Sequence, residues 1–259
     1  MSPRIPTSRA DTDTATPPVR IATAADVHCD SANADAVAAA FSEVDETVDL
    51  ILLAGDLTTH GDPEQAALVA SICRELSTPV ITVLGNHDLH ADRGPEVVAA
   101  LEDGNVTVLE RGFTVRRVGD VDVGIVGTKG FVGGFPGSHL AAFGERILRD
   151  AFAETTAEVE ALEAGLRAIA HCPIRIVVLH YAPTVETLDG EPPGIWMMLG
   201  SDRFADPLLA HEPDLVVHGH AHAGSLEGAI GPVPVYNVAV PVMKQDFRVF
   251  ELAGSRERN

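Results

Sequence analysis

Positive charge is what this chain has least of. Its 259 residues carry 18 Lys and Arg against 38 Asp and Glu, a formal net charge of −20 with neutral histidines. Nucleic acid and anionic lipid reward clustered basic side chains through counterion release, and here the largest basic cluster is Arg116-Arg117. Nucleic acid and membrane are therefore disfavoured as partners, although a bound metal can reverse the potential locally. Cysteine is scarce too: Cys29, Cys73 and Cys172, an odd number with no C-x-x-C. A reducing compartment fits such thiols better than an oxidising one, and buried or incidental thiols are the plain reading. Cys29 stands out only because it follows His28 directly. No apolar run reaches the roughly 18 residues of a membrane-spanning helix. The first 18 residues, rich in Ser, Thr, Pro, Arg and Asp, hold no apolar stretch of a secretory signal's length and read as a disordered tail. The expectation is a cytoplasmic protein with a tail over residues 1–18 and one domain over residues 19–259.

What is present is an ordinary globular composition, 46% apolar and 22% charged. Apolar runs at Val19–Ala25, Leu50–Ala54, Val80–Leu84, Ile174–Leu179 and Leu215–Val217 are too continuous to alternate. Such runs predict strands buried on both faces, in a parallel or mixed sheet. Helical patterns over Asn33–Val44 and Pro63–Leu76 separate the first three, and a shorter one over Pro95–Leu101 follows the third. Val106–Glu110, Phe113–Val118 and Val121–Val126 read as further strands, the last two joined by a hairpin turn at Gly119-Asp120. Ala141–Ala170 reads as one long helical region with a weak point at Gly144, Phe204–His211 as a short helix, and Gly224–Leu252 as closing strands.

Five of these strands end in polar clusters: Asp26 and His28, Asp56, Asn86-His87-Asp88, His180, and His220 with His222. Ligands of open α/β sheets bind beyond the carboxyl ends of strands, so clusters dispersed in sequence can converge there. Carboxylate oxygens and neutral imidazoles suit Mn, Fe and Zn, and a carboxylate can join two ions. Two ions about 3.5–4 Å apart can clamp both oxygens of an in-line phosphoryl displacement.

In order and placement, D-x-H, G-D, G-N-H-D, H and G-H-x-H resemble the calcineurin-like metallophosphoesterase superfamily, from about Val19 to Asn237. The resemblance implies an α/β fold, a layered sandwich of two mixed sheets flanked by helices. It implies two metal ions, divalent or of mixed valence (Mn, Fe or Zn), and attack on phosphorus by a hydroxide held between them. Asp26, His28 and His222 look like the ligands of one ion, Asn86, His180 and His220 those of the other, and Asp56 the bridge. His87 looks like the catalytic group facing the scissile phosphate, with Asp88 orienting it. Ala25 stands where the family usually has glycine. Gly55-Asp56-Leu57-Thr58-Thr59-His60-Gly61 lacks the arginine of the protein serine/threonine phosphatases. Asp88 is similar to the pattern of bacterial class III cyclic-nucleotide phosphodiesterases and lipid-A-precursor pyrophosphatases.

The function this implies is hydrolysis of a small phosphodiester such as a cyclic nucleotide. A phosphomonoesterase or nucleotide pyrophosphatase is the alternative. A nuclease is disfavoured by charge, and a non-catalytic scaffold by the complete ligand set. Thr128–Gly137 can offer Phe131 and Phe135 for stacking and Lys129 for a phosphate, or pack its phenylalanines inward. Thr184–Gly200, with Trp196, Met197 and Met198, can be a lid or a contact between copies in a homo-oligomer. The histidines outside the clusters, His60, His90, His139, His171 and His211, read as solvated or locally bonded, and His218 as a core or supporting group.

Overall fold

The computed structural model describes residues 17–254; most of the expected tail lies outside the described residues. The chain opens with a β-α-β-α-β-α-β series: β1 Val19–Ala24, α1 Ala34–Asp45, β2 Leu50–Ala54, α2 Pro63–Arg74, β3 Val80–Val83, α3 Gly94–Asp103 and β4 Val106–Val108. The helix starts follow local chemistry. In α2, Pro63 occupies the first turn, where its missing N–H costs nothing, and the Asp62 side chain accepts from the Glu64 amide. The four strands pair in parallel, and β13 (Arg248–Leu252) closes the edge antiparallel to β1, Val19 opposite Leu252.

The second sheet follows the expected hairpin, β5 Gly112–Val118 and β6 Val121–Gly127. A small ribbon, β7 Gly134–Phe135 with β8 Ser138–His139, leads to α4, Arg146–Ala168. Then come β9 Ile174–Val178, two 3₁₀ turns, α5 Trp196–Leu199, a third turn, α6 Ala205–His211, β10 Leu215–His218, β11 Glu227–Ile230, β12 Val233–Asn237 and α7 Val240–Met243. The strand order is β11-β12-β10-β9-β6-β5, parallel in the middle and antiparallel at both edges. Both sheets are mixed.

Why the strands read as continuous apolar runs is now visible. Leu50, Leu52 and Ala54 of β2 point between the sheets, where they meet Ile125, Ile176 and Val217. Ile51 and Leu53 point outward, under α1, α2 and α3. On the far side, Val177 and Val216 lie beneath Leu162 and Leu166 of α4 and Leu208 of α6. Two sheets face to face between two helical layers need apolar residues on every strand face.

Two segments differ from expectation. The helix expected from Ala141 starts only at Arg146; residues 141–150 are all exposed, so no packing draws the first of them into a helix. The closing segment holds three strands, as read, with α7 inserted where Pro241 occupies a first helical turn.

Candidate metal centre

Each of the five expected clusters sits where a strand of one sheet or the other gives way to a turn, and the turns are stitched together. The Asp26 amide donates to the Gly55 carbonyl (3.0 Å), the His28 amide to the Asp56 carbonyl (3.0 Å), and the Gly219 amide to the His180 carbonyl (3.1 Å). The backbone there is unusual. Asp26, His28, Asp56 and His220 all have positive φ, between 45° and 69°. Side chains rarely accept that conformation, and such strain gathers at functional sites held by the surrounding structure. Close approach matters as much: a Cβ at Gly85 would lie 2.0 Å from Asp56 Oδ1, and one at Gly219 would lie 2.3 Å from Asp26 Oδ2. Glycine lets backbone press directly on both carboxylates.

All seven expected donor residues come together. Asp26, His28 and His222 bring ligand atoms within 4.8 Å of one another, and so do Asp56, His180 and His220. Asn86 joins the second group through Oδ1, 2.9 Å from His180 Nε2. Asp56 lies between the groups, Oδ1 3.4 Å from His180 Nε2 and Oδ2 3.9 Å from His28 Nε2.

The donor chemistry fits cations. His180 Nδ1 donates to the Ala54 carbonyl at 2.9 Å, so a neutral ring turns its Nε2 lone pair toward Asn86 Oδ1 and Asp56 Oδ1. His28 Nδ1 faces the Thr58 carbonyl at 3.3 Å, which leaves its Nε2 lone pair toward Asp56. Acceptors facing acceptors at these distances call for positive charge between them. Burial pushes His220 down to about 3, which keeps that imidazole neutral, whereas the hydrogen bond to Asp26 raises His222. Burial alone would raise the Asp26 carboxyl, but the His222 hydrogen bond (2.8 Å) and nearby imidazoles hold it below its usual range. Anionic carboxylates and neutral imidazoles are the protonation states that Mn, Fe or Zn require.

His87 is placed apart. Its Nδ1 donates to the Thr59 carbonyl at 2.8 Å, its amide donates to Asp56 Oδ1 at 2.8 Å, and its ring stands edge-on to His28, centroids 4.6 Å apart. A ring nitrogen of His87 comes within 4.8 Å of the His28 and Asp56 donors.

Asp88 corrects the sequence reading. It does not touch His87. Fully buried, its carboxylate accepts from the amides of Leu57 (3.2 Å), Thr58 (2.8 Å) and Gly85 (2.9 Å) and from the Thr58 hydroxyl (2.8 Å). It therefore ties the Asp56 turn to the Asn86 turn. Burial and the neighbouring Asp56 charge raise its pKa against the pull of those donors. The orienting group of His87 is the Thr59 carbonyl, a backbone atom that no residue type announces.

Other assignments divide. Phe135 is buried against Ala182, Leu188 and Leu199 and offers no stacking face. Phe131 is half-buried and stands against Tyr181, ring centroids 5.9 Å apart. Tyr181, which the sequence reading passed over, packs its ring 4.5 Å from that of His220; its position after His180 was the available signal. The irregular segment does reach the centre, because the Met198 carbonyl accepts from His220 Nε2 at 3.2 Å. His218 is a buried support, donating to or accepting from the Thr187 hydroxyl at 2.8 Å. His139 pairs with Asp202. The three cysteines are free and buried, and burial raises the thiol of Cys29 to about 11.

Among the described residues, no helix is long and apolar enough to cross a membrane. The model of one family, described as calcineurin-like phosphoesterase, matches residues 19–224. Among solved structures, the chain is similar to phosphopantetheinyl hydrolase of Mycobacterium tuberculosis, at 16% identity and a TM-score of 0.62, over 93% of this chain and 98% of that one. It is similar to a 5′-nucleotidase of Staphylococcus aureus, so described provisionally, at 16% identity and a TM-score of 0.55, over 92% and 55% of the two chains. It is also similar to the anchor in the inner membrane complex of Plasmodium, at 16% identity and a TM-score of 0.57, over 87% and 73%. At such identities the likeness is one of fold.

Proposed function

The chain belongs to the calcineurin-like phosphoesterase family, a family of metal-dependent phosphoester hydrolases with a dinuclear centre, and on that premise we propose that it hydrolyses a small phosphodiester, a cyclic nucleotide being one example. The observation that carries the reading is the arrangement about Asp56: one buried carboxylate turned to two groups of acceptor atoms, with His87 beside them. Asp26, His28 and His222 would hold one ion, and Asn86, His180 and His220 the other, with Asp56 shared. When bound, such a pair supplies positive charge against the phosphoryl oxygens and a nucleophile near neutral pH.

The residues of the chain do the rest. Because Nδ1 of His87 is committed to the Thr59 carbonyl, the proton it can deliver is the one on Nε2. As an oxygen from water bonds to phosphorus and the bond to the departing oxygen breaks, that proton passes to the departing oxygen, which leaves a phosphomonoester and an alcohol, both on one molecule where the diester is cyclic. Asp88 acts through position, by fixing the two turns that carry Asp56 and Asn86. The acidic surface disfavours polyanions over a reach of about 8 Å at physiological salt and penalises a singly charged diester little. A cytoplasmic site of action and one catalytic domain over residues 19–259 belong to the same proposal; the buried free thiols support the former.

The test is a substrate panel on protein reconstituted separately with Mn, Fe and Zn. Bis(nitrophenyl) phosphate and 2′,3′- or 3′,5′-cyclic nucleotides should be turned over, single-stranded RNA and DNA hardly at all. A nucleoside monophosphate or an oligonucleotide ahead in kcat/KM by about tenfold overturns the diester preference while leaving the metal centre in place.

A further inference from the structure

Next to the centre lies a cavity of about 410 Å³, whose lining includes Leu84, Leu89, Leu109, Arg111, Lys129 and Glu158. Its walls belong to the elements that carry the centre. Leu84 and Leu89 bracket the turn holding Asn86 and His87, and the Lys129 carbonyl accepts from the amides of His180 (2.9 Å) and Tyr181 (3.1 Å).

Most of the charge around this cavity is already matched. Arg111 donates to Glu158 Oε1 at 3.0 Å and to Glu154. The other oxygen of Glu158 accepts from the Gly130 amide at 3.0 Å and from the Thr128 hydroxyl. Lys129 is different. Its ammonium lies over the rings of Phe131 (4.5 Å to the centroid) and Tyr181 (5.2 Å) and donates to the Gly130 carbonyl at 3.0 Å. Among the described residues no carboxylate comes within 4.0 Å of it. An ammonium has three donors, so this one has capacity for a further acceptor. The Tyr181 ring that it lies over also packs 4.5 Å from the His220 imidazole. The chain has sixteen arginines and only two lysines, Lys129 and Lys244. A compact ammonium suits a single phosphate oxygen better than a planar guanidinium does in so confined a place.

We propose that Lys129 binds a second phosphate of the substrate, joined through a spacer about the size of a sugar to the phosphorus that is hydrolysed, with the leucine floor under that spacer. The inference rests on the phosphodiesterase reading and narrows it, to small diesters with one pendant phosphate. Arg111 is already engaged by Glu154 and Glu158, so Lys129 is the cation left for a phosphate, and one phosphate is accepted rather than a polyanion.

A pair of dinucleotides that differ in one group tests this. The 5′-phosphorylated form of ApA should exceed ApA itself in kcat/KM by about tenfold or more, mainly through KM. In Lys129→Gln the ratio should fall close to one; a ratio equal to that of wild type overturns the proposal. If neither dinucleotide nor bis(nitrophenyl) phosphate is cleaved, the phosphodiesterase reading fails, and the lysine is read without turnover. Protein stripped of metal and carrying isotope-labelled lysine gives resonances for two residues, with Lys244→Arg assigning them. Adenosine 3′,5′-bisphosphate should shift the Lys129 signal and leave that of Lys244, whereas adenosine should shift neither. No movement at Lys129, or equal movement at both, overturns it.

Discussion

The two sheets bring their donors to the centre in different ways. On the first, the buried carboxylate of Asp88 ties the turns after β2 and β3 together with four hydrogen bonds. On the second, the His180 ring reaches the Ala54 carbonyl and Asn86 Oδ1, and His220 is held by its amide on Asp26 Oδ2 and by its ring on the Met198 carbonyl, which belongs to an irregular segment. The first half of the centre is braced and the second is draped. Damage to the brace should spread through backbone amides that lose their acceptors, while damage to the draped side should stay local. The second sheet is also where the loops are long, and it supplies Lys129, Phe131 and Tyr181. A rigid side suits fixed chemistry, and a looser side can vary in what it admits.

Four measurements break or sharpen this contrast. Asp56 faces both donor groups, so Asp56→Asn should have the largest effect. Activity should fall by more than the roughly 10–100-fold typical of outer partners of a metal site, with fewer than two ions per chain by metal analysis. Two ions retained, with turnover within about tenfold of wild type, would remove Asp56 from the shared position.

His87→Ala asks whether a residue of the braced side acts without holding metal. Both ions should remain. An alkyl phosphodiester should be hydrolysed roughly 10²–10⁴-fold more slowly, a nitrophenyl ester less affected because its leaving group needs no proton. Equal losses would indicate an electrostatic role, and lost metal would make His87 a ligand.

The brace itself is read from stability. Asp88→Ala orphans three amides and a hydroxyl, at about 1–3 kcal/mol for each buried donor left unpaired. Even with partial rehydration, the metal-free protein should melt roughly 6–12 °C lower. His220→Asn, on the draped side, keeps a residue type that tolerates positive φ and should move the same melting temperature by about 2 °C at most. Equal shifts would erase the distinction.

A further small effect lies away from both sides. Asp45 accepts from the amides of Ser77 and Thr78; burial pushes its carboxyl up, and these donors pull it further down, to a net lowering. Asp45→Asn should cost about 1 kcal/mol at neutral pH. Since the folded pKa is the lower one, this stabilisation is complete above the unfolded value and fades as pH falls through the folded one. Denaturant midpoints of variant and wild type should therefore separate at neutral pH and converge on acidification.

Much of this was legible in the sequence. Leu50–Ala54 had to be a strand covered on both faces, and it is, because sheet faces sheet on one side and helices cover the other. Asp26 through His222 could be collected because each stands where an apolar run stops. The failures share a cause. Asp88 is a carboxylate beside a histidine, so pairing them was natural, yet its partners are backbone amides of another turn. Phe135, for which the residues left both stacking and inward packing open, is packed inward. Backbone partners and the inward turn of one side chain leave no mark on residue type, and neither does the Thr59 carbonyl behind His87.

The distance along the chain between donors has a consequence in time. Asp26 and His222 meet across 196 positions. At about 5–20 residues per second, a ribosome needs roughly 10–40 s to pass from one to the other. Late in that interval the four parallel strands of the first sheet and Asp88 have been made, while β13, His220 and His222 are still unmade. A cation meeting the nascent chain then finds only part of its coordination. Full loading waits for β10 to slot in beside β9, so capture of the metals is a late event, performed by a body that has already taken shape without them.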